Sequence, residues 1–88
     1  MAPMITPFIK LALDKLSQGT IAVIQDVTGE DPTSMRLMEI GFVAGQPVSR
    51  TGQAPAGDPI EYSIGGARVG LRKSEAARVI VQISSLQI

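Results

Sequence analysis

The chain has 88 residues, 44% apolar and 18% charged, and its eight basic and eight acidic side chains cancel to a net charge of zero. It contains no cysteine and no histidine, which excludes disulfides, thiolate or imidazole metal sites, and imidazole-based acid–base or nucleophile schemes. A pI of about 6.1 and 3% aromatic residues give no footprint for nucleic acid or for an anionic membrane surface.

A chain of this size makes one domain, burying roughly 60–65% of its unfolded surface. No apolar run approaches the ~20 residues that span a bilayer. Residues 7–13 are interrupted by Lys10 and followed by Asp14 and Lys15, unlike a signal peptide. The expectation is a cytoplasmic protein without direct membrane insertion.

Residues 1–8, with Pro3 and Pro7, read as a flexible leader, and residues 9–88 as the domain. Residues 11–16 fit either one helical turn or a strand feeding a turn at Ser17-Gln18-Gly19. From Thr20 the signal is β, carried by Ile21, Val23, Ile24 and Val27. A turn at residues 29–32 leads into a short helix over residues 33–40. Asp31 suits its N-cap, Pro32 its first position and Gly41 the left-handed residue past its end, with Phe42 folding back onto Leu37. Residues 48–51 read as a strand whose pairing Pro47 limits at its start. Ile60, Tyr62 and Ile64 alternate with Glu61 and Ser63, Gly65-Gly66 makes a two-residue connector, and Ala67, Val69 and Leu71 alternate in turn. Residues 73–77 suit one helical turn. Residues 78–84 close as a strand with Val79, Val81 and Ile83 inward. The sum is a mainly β fold: a small five-stranded antiparallel barrel with one helix after the first strand and a helical turn before the last.

These elements, in this order, carry Arg36-Leu37 with Glu39-Ile40-Gly41-Phe42 and Gly45, then Ala54-Pro55 with Gly57-Asp58-Pro59, then Leu71-Arg72 with Glu75-Ala76. The chain thereby resembles the ferrous iron transport protein A (FeoA) family of SH3-like barrels, from about Leu11 to Ile83. It departs from the family's pattern at Met35, which leaves Arg36 without a second basic residue, and at the small Ala56. The resemblance implies an accessory role in Fe(II) uptake, with binding to the cytosolic GTP-binding part of a FeoB-like membrane transporter. It also implies an alternative: a regulatory module related to the C-terminal barrel of metal-dependent transcription repressors. Weak homo-oligomerisation is left open.

No catalytic constellation and no phosphate-cradling loop is present, so neither enzyme activity nor a cofactor is expected. Asp26, Glu30 and Asp31 lack the spacing of a calcium loop and read as a solvated acidic turn. A partner surface is the remaining possibility, and the helix is its best candidate. At about 100° per residue, Leu37 and Ile40 lie within about 60° of each other and face the barrel, whereas Met35 lies about 160° from Leu37. Met38 reads as core packing. Arg36 and Glu39, three apart, suit a surface pair. The loop through Pro55 and Asp58 is rigid, either as a plain connector or as a pre-ordered recognition surface. The candidate partner-binding residues are Met35, Arg36, Glu39, Pro55 and Asp58.

Overall fold

The alternation of the apolar residues is realised in a single curled sheet. The computed structural model describes residues 8–84. Its elements are β1 (Phe8–Ala12), a 3-10 turn (Leu13–Lys15), β2 (Ile21–Val27), α1 (Pro32–Ile40), β3 (Pro47–Gln53), β4 (Ile60–Ile64), β5 (Ala67–Leu71), α2 (Lys73–Ala76) and β6 (Val79–Ser84). The six strands lie in the order β1-β6-β2-β3-β4-β5, and each neighbouring pair is antiparallel. Register irregularities at Ile24/Asp26 and Arg50/Gly52 bend the sheet, as bulges do, and its inner face wraps one core.

The hairpin is as its pattern predicts. Ile60, Tyr62, Ile64 and Leu71 are buried, and Gly65 and Gly66 have φ of 57° and 81°, the two left-handed residues of a primed turn. Tyr62 is fully buried and its hydroxyl donates to the Leu13 carbonyl at 3.1 Å. On β6, Val79, Val81 and Ile83 point inward as expected.

Two expectations need correcting. The fold class holds, but there are six strands, because residues 8–12 form β1 along β6 with Ile9 opposite Ile83 and Leu11 opposite Val81. The five-residue run is too short for its period to distinguish strand from helix, and pairing with β6 decides it. The helix therefore follows the second strand. The leader expected over residues 1–8 lies outside the described residues except at Phe8, which begins β1. The second correction is Ile40, which is 38% exposed, while Leu37 alone of the pair is buried. The inward position one turn before Leu37 is taken by Ser34, also fully buried.

Candidate functional site

The candidate surface starts from how α1 is held. Asp31 is its N-cap and accepts from the Ser34 N–H at 3.2 Å. The Ser34 hydroxyl donates to the Thr28 carbonyl at 2.5 Å, and Arg78 Nη1 reaches both Asp31 Oδ1 at 2.5 Å and Ser34 Oγ at 3.2 Å. This polar cluster ties the helix start to the chain entering β6. The Arg78 guanidinium, followed by the Ser34 N–H, holds the Asp31 carboxyl below its ordinary range. At the other end Gly41 has φ of 128°. The Phe42 N–H donates to the Leu37 carbonyl at 3.0 Å, and both side chains are buried in the core cluster.

Pinned at both ends, α1 turns its remaining apolar residues outward. Met35 is 55% exposed, Met38 42% and Val43, just past the helix, 45%. With Ile40 these make up half of the large exposed apolar side chains among the described residues. Met35 points to solvent as the helix period predicts. Met38, read as core packing, does not join the core. Three-residue spacing of Met35 and Met38 is the signal that could have revealed a second apolar stripe.

The charged neighbours are organised by α2. Arg36 pairs with Glu75 on α2 rather than with Glu39. The other Glu75 oxygen accepts from the Arg72 N–H at 2.9 Å, at the start of α2. Asp58 accepts from the Lys73 N–H at 2.9 Å. The proline loop is closed by the Ala54 N–H on the Pro59 carbonyl at 2.9 Å and the Gly57 N–H on the Ala54 carbonyl at 2.7 Å, and the Asp58–Pro59 peptide is cis. Thus Arg36 and Asp58 approach the same short helix from α1 and from the loop, and α2 links the two halves of the candidate surface. Both side chains also have structural partners, which sequence spacing did not show. Glu39 and Pro55 are exposed, and neither side chain makes a hydrogen bond or ion pair within the described residues.

Two of the three acidic residues of the turn are engaged elsewhere: Asp31 as above, and Asp26 by accepting from the Val27 N–H at 2.8 Å. No helix among the described residues is long and apolar enough to cross a membrane.

The chain matches the FeoA domain family over residues 11–83. It is 36% identical over 75 residues to an Fe(2+) transport protein A/Fe(2+) transporter FeoB fusion protein of Porphyromonas gingivalis, covering 85% of this chain and 9% of that protein. Among solved structures it superposes on iron(II) transport protein A from Clostridium thermocellum with a TM-score of 0.78 and 33% identity, over 83% of this chain and 45% of that one. Zinc-complexed FeoA from Stenotrophomonas maltophilia, described as a prokaryotic SH3 domain protein, gives a TM-score of 0.71 and 36% identity, over 82% and 94% of the two chains. A manganese-dependent transcriptional repressor shares the fold at 17% identity, with a TM-score of 0.75 over 92% of this chain and 45% of that one.

Proposed function

The chain belongs to the FeoA domain family, and from that premise we propose that it is a cytoplasmic accessory protein of Fe(II) uptake, without catalysis of its own, that binds the cytosolic GTP-binding part of a FeoB-like transporter. The observation that supports this reading best is the fusion relative, in which a segment alike over 85% of this chain is part of one polypeptide with FeoB. Fusion holds two modules at high effective concentration, an arrangement suited to a weak working contact. Since this chain spans 9% of that protein, the activity of the whole is an inference carried over to it.

The contact proposed is the outward face of α1 with the proline loop, through Met35, Arg36, Glu39, Pro55 and Asp58. Exposed methionines adapt to irregular apolar partners, and the Arg36–Glu75 and Asp58–Lys73 contacts hold the charged rim in place. Met38, Ile40 and Val43 extend the apolar part. The repressor alternative rests on the fold alone.

The test is direct binding of the purified chain to the isolated GTP-binding domain. Met35→Asp and Arg36→Glu should each weaken it by ~1 kcal/mol or more. Met35→Asp should melt with the parent, because it touches only the surface. Unchanged affinity in both variants would place the contact elsewhere on the barrel.

A further inference from the structure

Sheet order leaves two edges, β1 and β5. At β5 the direction of the free backbone groups follows from the hairpin. A two-residue primed turn makes its flanking pair, Ile64 and Ala67, exchange both hydrogen bonds, and so on at Tyr62–Val69 and Ile60–Leu71. The N–H and C=O groups of Arg68 and Gly70 therefore point away from β4 toward the open edge. None of them has a partner among the described residues.

Beside this edge, Glu61 lies opposite Gly70 on one side and Gly52 on the other. The φ of Gly70 is outside the left-handed region, and a Cβ there would meet nothing within 4 Å. Neither backbone conformation nor internal packing requires glycine at this position. A groove of about 370 Å³ runs over it, lined by Gly52, Ala54, Pro59, Glu61 and Gly70 among others. Glu61 Oε1 accepts from Thr51 Oγ1 at 3.0 Å and stands 3.9 Å from Arg68 Nη1. Its Oε2 has no partner among the described residues, and the side chain is 44% exposed. An accessible carboxylate thus faces the free edge across a residue with no side chain.

We propose that the β5 edge is a docking site for an extended, basic segment of a protein partner. The segment adds as a strand beside Arg68 and Gly70, with a lysine or arginine opposite Gly70 reaching over it to the Glu61 carboxylate. Strand addition satisfies the free backbone groups and side-chain pockets give the specificity. Two strand spacings, about 10 Å, separate the incoming backbone from that of β4. A lysine and a glutamate span this between them, whereas a short polar residue does not. Arg68 and Glu61 cancel in charge, but they stand at the limit of ion-pair distance, and among the described residues lining the groove Glu61 alone is charged, so a cation reaching into the groove meets a carboxylate. The site adjoins the proline loop through Ala54 and Pro59, yet it stands independently of the α1 surface.

The experiment titrates the isotope-labelled full chain with a short peptide of alternating threonine and valine bearing one central lysine, and with its counterpart bearing glutamate. Amide shifts should concentrate on residues 67–71, with hydrogen exchange slowed at Arg68 and Gly70. The lysine peptide should bind at least about fivefold tighter. Glu61→Gln should erase that preference, and Gly70→Thr should weaken both peptides. If Gly70→Thr melts early, Glu61→Gln and the exchange pattern still decide. Equal affinities, shifts centred on β1, or slow exchange at Arg68 and Gly70 in the free protein through pairing with a second copy would each overturn the proposal. Met35→Asp should leave peptide binding unchanged, so failure here is distinct from failure of the α1 surface.

Discussion

Helix α1 and the β4–β5 hairpin are both anchored to the same core, but by different physics. The hairpin buries an apolar row, Ile60, Tyr62, Ile64 and Leu71, and its buried polar anchor is the Tyr62 hydroxyl on the Leu13 carbonyl. The helix buries only Leu37 and Ser34 and is fixed at its start by Asp31, Ser34, Arg78 and the Thr28 carbonyl. A nine-residue helix is too short to hold itself by propensity. Fixing it through a polar cluster and a glycine terminus leaves most of its apolar residues free for something outside the chain. The hairpin commits all three inward residues of β4 to the core, and only toward the turn, at Ala67, does its inner face open to solvent.

The largest break in this comparison should come from Tyr62→Ala, which empties a fully buried aromatic site and should cost about 3–5 kcal/mol in chemical unfolding. Ser34→Ala is the counterpart on the helix side. It leaves the Thr28 carbonyl without its donor and removes a partner of Arg78, so the loss should be about 1–3 kcal/mol. Were Ser34→Ala to match Tyr62→Ala, the polar cluster would be more than a local anchor. Gly41→Val should cost about 1 kcal/mol or more, because a β-branched residue fits positive φ badly. A Cβ at Gly41 meets nothing within 4 Å, so that loss would measure backbone strain alone. Melting identical to the parent would refute it.

pH should separate the two anchors most cleanly. The Asp31 carboxyl is lowered in the fold from its ordinary 3.8, so its stabilisation is present above that value and lost as pH falls from there through the folded value. Burial pushes the Tyr62 phenol up to about 12 from 10.0. Its contribution is complete below pH 10.0 and lost as pH rises from there toward about 12. Unfolding followed across pH should show the acid loss reduced in Asp31→Asn and the alkaline loss reduced in Tyr62→Phe. An alkaline loss that survives Tyr62→Phe would assign it to other groups.

Much of this was legible in the residues. Period-two alternation and Gly65-Gly66 specify the hairpin, because a pleated strand with one buried face leaves that signature. Asp31, Pro32 and Gly41 bound α1 because their backbone preferences are local. Which side of α1 would face the core was not legible beyond Leu37. Ile40 and Met38 are as apolar as core residues, and only the position of β2 beneath the helix leaves them outside while burying Ser34.

By itself the sequence determined the fold class, the turn and helix ends, the absence of imidazole and thiol chemistry, and the outward place of Met35. All of these follow from the type of one residue or the spacing of a few neighbours. Tertiary structure alone decided that residues 8–12 become an edge strand, that Arg36 turns to Glu75 and not Glu39, that Asp58 caps α2, and that Glu61 faces a free edge across Gly70. Each of these joins residues far apart in the chain. Ion pairs and edges are properties of what the sheet order brings together, and local pattern carries no record of that order.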